Sequence, residues 1–157
     1  MNSDEIYTIA KYMKLENFLG VFASDQLDMI TDKSEGLLVF NTDTSDNIGQ
    51  HWISMYLSKK QLMYFDSLAS EFYKSNFIRS LFVKLGKDVF INKVQTQTEQ
   101  SDKCGVHALV FCLIMSKNGS VDRFENFLKS FLSLKIGERE ILSLEYFDIL
   151  INHGGYN

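Results

Sequence analysis

Apolar positions recur at helical spacing at both ends of the chain and at strand spacing in its middle. In SDEIYTIAKYMK, Ile6, Ile9, Ala10 and Met13 fall on one helix side, with Ser3 as cap and acids in the first turn. FLGVFASDQL mixes apolar residues with Gly20 and reads as a short extended segment turning into a loop. GLLVFNT, from Gly36 to Thr42, predicts a buried strand, and the polar DTSDNIG after it a loop. HWISMYLS alternates, with His51, Ile53, Met55 and Leu57 on one face and Trp52, Ser54, Tyr56 and Ser58 on the other. A tight turn at Lys59 and Lys60 then leads into QLMYFDS, which completes a hairpin.

Phe72, Phe77, Leu81 and Leu85 predict one helix from Glu71 to Leu85, stopped by Gly86, and DVFINKVQ predicts a fourth strand. Beyond Cys104 the pattern is helical throughout. The segments are Gly105 to Met115, Val121 to Phe131 with Phe124, Phe127, Leu128 and Phe131 on one face, and Glu138 to Ile151. The tail HGGYN reads as a frayed end, set against the alternative that its Gly-Gly is a processing site. The expected architecture is an α+β fold, a small central mixed sheet flanked by helices, in a single domain over residues 1–157.

Composition narrows the class. The 157 residues are 45% hydrophobic and 23% charged, as expected of a folded chain. The longest apolar run, Val106 to Met115, suits a buried helix and is too short for a membrane span, and the acidic N-terminus lacks a signal-peptide pattern, so an intracellular protein is expected. A net charge of −4 argues against a generally basic nucleic-acid surface, leaving only a local patch open. Cys104 and Cys112 lie on neighbouring turns of one predicted helix, where a disulfide would staple nothing, so both are read as free thiols.

The two thiols differ in setting. Cys112, between Phe111 and Leu113, reads as core. Cys104 follows the polar TEQSDK and opens a helix, whose N-terminus favours a thiolate. A metal site built on Cys104 and His107 lacks further ligands at zinc spacing, so no metal or cofactor is expected and His107 reads as a surface or packing residue. His51, beginning a strand directly after a loop, is the stronger partner for the thiol. Asp66 ends the next strand, so the hairpin brings carboxylate and imidazole to the same end of the sheet, where the one can orient the other. Taken alone, these two residues favour an unlinked strand-end histidine and turn aspartate.

GQHW, YFDS, a glutamine-containing polar segment and DKCG, in that order, resemble the adenain-like and ubiquitin-like-protein-specific cysteine proteases, whose chain order is His, Asp or Glu, Gln, Cys. The likeness to the adenovirus maturation protease extends to NFLGVF, VFNTDTSDNIGQHW and CGVHALVFC, roughly Asn17 to Met115. It implies Cys104 as nucleophile, His51 as general base and then acid, Asp66 as orienting carboxylate and a glutamine beside the oxyanion hole. Gln97 has the matching spacing; Gln95 and Gln100 are the other candidates. Trp52 is read either as a wall of a narrow cleft or as sheet packing, and Gly105 as the site of a close backbone approach. Adenovirus enzymes are longer and basic, carry Glu where this chain has Asp66, and use DNA and a disulfide-linked peptide as activators; neither activator is carried over.

The resemblance implies a monomeric endopeptidase that matures capsid or core proteins of a DNA virus or virus-like element at glycine-containing sites, present at the assembly site and in the virion. Two alternatives use the same triad. One removes ubiquitin-like modifiers from host proteins; the other is an acyltransferase. A catalytically dead binding module is a further alternative.

Overall fold

The computed structural model describes residues 1–46 and 51–154. The segment GQ before His51 and the last three residues of the tail fall outside that range, as does the side chain of His153. A five-stranded mixed sheet forms in chain order from β1 (Phe18–Phe22), β2 (Gly36–Asn41), β3 (Trp52–Leu57), β4 (Gln61–Phe65) and β5 (Asp88–Ile91). The two outer pairs are parallel and the two inner pairs antiparallel. FLGVF is thus a full edge strand rather than a short extended piece, which makes five strands where the sequence predicts four.

The helices are α1 (Ser3–Tyr12), α2 (Asn76–Leu85), α3 (Cys104–Met115), α4 (Val121–Lys129) and α5 (Ile136–Gly154), with short 3-10 helices at Ser24–Met29 and Phe72–Lys74. Asn2, not Ser3, caps α1: its side chain accepts the Glu5 N–H while the Glu5 carboxylate takes the Asn2 N–H, a reciprocal capping box. The predicted Glu71–Leu85 helix is broken at Ser75, which is extended. Within α2 the buried stripe is Ile78, Leu81 and Leu85, at i, i+3 and i+7, so Phe77, expected inside, falls at its edge and is 48% exposed. Gly86 ends α2 in the left-handed conformation (φ 59°), which costs glycine little.

Strand alternation builds two cores. Leu37, Val39, Met63 and Phe65 point to one face, under α1, α3, α4 and α5, with Trp52 and Tyr56 packed against the same cluster. Leu38, Phe40, Ile53, Met55, Leu57, Leu62 and Tyr64 point to the other, under α2 and the Ser24–Met29 turn. With both faces covered, β2 is buried at every position. Helix α3 is apolar all round because sheet and helices enclose it. Phe111 on α3 stacks on Phe65 at 5.3 Å and 4° between planes, locking the end of β4 to the helix that carries Cys104. Among the described residues no helix is long and apolar enough to cross a membrane.

Candidate active site

Three elements meet where β3 begins, β4 ends and α3 begins. His51 immediately precedes β3, and its carbonyl accepts the Thr42 N–H at 2.9 Å, extending the β2–β3 ladder by one residue and fixing the backbone that presents the imidazole. Asp66 immediately follows β4 and is 1% exposed. Its Oδ1 accepts the Leu68 N–H at 2.9 Å, an Asx turn, and Oδ2 accepts from both the N–H and the hydroxyl of Ser70. Asn92 grips the Asp66 backbone from the next strand end, its Oδ1 accepting the Asp66 N–H at 2.9 Å and its Nδ2 donating to the Asp66 carbonyl at 2.7 Å. So held, the carboxylate lies 2.6 Å from His51 Nε2.

The imidazole and the Cys104 thiol shift each other's ionisation, and with Nε2 facing Asp66, Nδ1 is the ring nitrogen left for the sulfur. Burial alone would lower the pKa of His51, but bonds to Asp66 and Cys104 outweigh it and raise the imidazole to about 9. Burial would raise Cys104; hydrogen bonds from His51 and from the backbone N–H groups of Trp52 and Gly105 reverse that and lower it. Asp66 is likewise held below its ordinary range despite burial, by His51, Ser70 and the Leu68 N–H. All three shifts favour a thiolate beside an imidazolium with a carboxylate behind it.

Cys112, on the same helix, is fully buried and its thiol is pushed far up by desolvation alone. His107 is not a surface residue: it is 1% exposed and packs inside, its Nδ1 at 3.1 Å from the Thr96 hydroxyl and its Nε2 at 3.5 Å from Glu140. It turns toward the 92–103 loop and α5. Among the described residues no group of three or more His, Cys, Asp or Glu side chains is placed to hold a metal ion.

Of the three glutamines, Gln97 is the buried one, at 2% exposure, while Gln100 is exposed. The Gln97 Oε1 accepts the Ser67 hydroxyl at 2.6 Å and its Nε2 donates to the Ser101 carbonyl at 2.9 Å, tying it to the residue after Asp66 and to the approach to Cys104. Gln95 donates to the Gln97 carbonyl at 2.8 Å.

Trp52 packs on the α3 side of the sheet, and its indole N–H donates to the Met1 carbonyl at 2.8 Å. A Cβ on Gly105 would sit 3.1 Å from the Met1 side chain, so the missing side chain makes room for Met1. Two grooves flank this contact. One, of about 660 Å³, is bounded by Phe22, Asn41 and Trp52; the other, of about 560 Å³, by Ile9, Asp102 and Val106, and Met1, Asn2 and Glu5 border both. The roles of Asn92, Ser70 and the Trp52 backbone N–H have no signature in the sequence, since each depends on which strand ends meet.

No protein-family model and no curated protein matches the chain. Among solved structures it is similar to the crystal structure of selenomethionine ASFV pS273R protease, with a TM-score of 0.42 and 17% identity, covering 74% of this chain and 43% of that one. The chain therefore spans less than half the length of that protein.

Proposed function

We propose that this chain is a cysteine endopeptidase with Cys104 as nucleophile, His51 as base and acid, Asp66 as orienting carboxylate and Gln97 at the oxyanion hole. The observation that carries the reading is the Asp66 carboxylate held 2.6 Å from the His51 ring, at the same end of the sheet as a thiol at the start of a helix whose ionisation that ring favours. Such a thiolate attacks a peptide carbonyl; the S–C bond forms and the carbonyl oxygen takes the negative charge. As the oxyanion re-forms the carbonyl, the C–N bond breaks and the imidazolium gives its proton to the departing amine. The now neutral His51 then takes a proton from water, whose oxygen attacks the acyl-sulfur ester, and the thiolate leaves as the acid product is released.

An amide NH2 carries two hydrogens, and the Gln97 bond to Ser101 uses one, so the second can serve an oxyanion beside the Cys104 N–H. Met1, Trp52 and Gly105 crowd together beside the nucleophile, which favours a substrate with glycine next to the cut. Substrates of this kind are the capsid or core precursors of a DNA virus or virus-like element. The test is a panel of peptides with glycine at the cut, together with a ubiquitin-like modifier fused to a fluorophore. Cleavage of glycine peptides that disappears in Cys104→Ala supports the reading; cleavage that persists in Cys104→Ala contradicts it, and exclusive turnover of the modifier probe reassigns the substrate.

A further inference from the structure

The loop from Asn92 to Lys103 carries Gln97 but lies outside every strand and helix. It is held from three sides. From the sheet, the Ser67 carbonyl accepts the N–H groups of Thr96 at 2.8 Å and Gln97 at 3.0 Å. From α3, the ring of buried His107 meets the Thr96 hydroxyl at 3.1 Å. From α5, Arg139 Nη1 donates to the Gln95 carbonyl at 2.8 Å while its Nε donates to the Leu134 carbonyl at 2.9 Å. Glu140 Oε2 accepts the Thr98 hydroxyl at 3.1 Å, and its other oxygen faces His107 Nε2 at 3.5 Å.

These contacts surround the loop. Thr98 and Thr96, on either side of Gln97, are hydrogen-bonded to Glu140 and His107 respectively, and those two side chains face each other at 3.5 Å without a hydrogen bond between them. Because a carboxylate only accepts, the approach favours the hydrogen on the His107 nitrogen that faces Glu140, which leaves Nδ1 to accept from the Thr96 hydroxyl. Arg139 pins the residue before that pair. The geometry points to Arg139 and Glu140 as positioning residues: α5, which supplies no atom of the triad, fixes the Gln97 loop in register with the nucleophile. This inference rests on the cysteine endopeptidase reading of the site. An oxyanion donor works only if it is held in place before charge develops, and a displacement of about 1 Å at such a group can cost about a hundredfold in rate.

The test compares wild type with Arg139→Ala, Glu140→Ala and the conservative Glu140→Gln, whose amide oxygen still accepts from Thr98. Three quantities are measured: kcat and KM on a glycine peptide, the rate of Cys104 alkylation by iodoacetamide, and amide hydrogen exchange at Thr96 and Gln97. Both alanine variants should lose at least about tenfold in kcat with KM within about threefold, because the loop acts on the transition state. Alkylation, which needs the thiolate but no oxyanion hole, should stay within about twofold, and exchange at Thr96 and Gln97 should quicken. Glu140→Gln should recover most of kcat. Unchanged kcat and exchange in both alanine variants overturns the inference, as does a parallel fall of kcat and alkylation, which marks a general loss of fold. A wild type that cleaves no peptide overturns the endopeptidase reading instead, and faster exchange in the variants then still upholds the α5 clamp.

Discussion

His51 and His107 are both largely buried and both face a carboxylate, yet their imidazoles move in opposite directions, to about 9 and to about 4. The difference is one of geometry. Asp66 is gripped by Asn92, Leu68 and Ser70 and delivered to 2.6 Å from His51, and the Cys104 thiol adds to the upward pull on the ring. For His107 desolvation dominates, because Glu140 stops 3.5 Å away and divides its oxygens between the ring and Thr98. A buried imidazole becomes a stored proton only when its partners are held close on both sides; otherwise it is a neutral linker. On the proposed reading, one histidine serves the chemistry and the other holds the loop that supports it.

The most damaging way to break the contrast is Asp66→Asn, which leaves the shape of the pair and removes its charge. Turnover should fall by up to about 10⁴-fold, as when an orienting carboxylate is neutralised in other triads, and an NMR titration should show the His51 midpoint moving down from about 9. Gln97→Ala tests the oxyanion hole without touching either histidine. It should lower kcat about a hundredfold, a loss of about 3 kcal/mol in transition-state stabilisation, with the His51 titration unchanged.

The smallest effect belongs to His107→Gln, read as stability against pH. Because the folded His107 resists protonation to about 4 while the unfolded ring titrates near the ordinary histidine value of 6.5, the unfolded chain binds the extra proton between those values and wild-type stability falls as the pH falls there. The glutamine variant should lack that slope, worth on the order of 2–3 kcal/mol by pH 4, in urea unfolding at matched pH. His51 works with the opposite sign: its raised pKa contributes stability that is full below 6.5 and lost as pH rises through about 9. A wild type equally stable at pH 4 and 6.5 would contradict the assignment of His107 as a buried neutral ring.

Much of this was legible in the chain. Alternation in HWISMYLS assigned both faces of β3, and the lengths of two strands joined by a two-lysine turn were enough to bring His51 and Asp66 to one end of the sheet. Apolar residues all round α3 marked a helix enclosed on every side. Phe77 was misplaced because both Phe77 and Ile78 fit an i, i+4 or i, i+3 step to Leu81, and apolar spacing alone does not say which of two adjacent apolar residues takes the centre of the buried stripe; the extended Ser75 that ends the single predicted helix has no signal in the periodicity either. His107 was read only as far as a surface or packing role, since its burial depends on α5, which begins at Ile136, far downstream. The Gln97 loop was the least readable part: its conformation is set by side chains from the Asp66 turn, α3 and α5, and local propensity carries no trace of such contacts.

The central claim is that His51 and Asp66 make Cys104 a thiolate at ordinary pH, and the pH profile of Cys104 alkylation tests it most directly, read by mass spectrometry in wild type and His51→Ala with Cys112 as the internal reference. The account predicts that wild-type Cys104 reacts well below the usual thiol range, that the profile changes again near pH 9 as His51 loses its proton, that His51→Ala moves the onset upward, and that Cys112 stays inert throughout. Superimposable profiles for wild type and His51→Ala, or a Cys104 that ionises no earlier than an ordinary thiol, would contradict it.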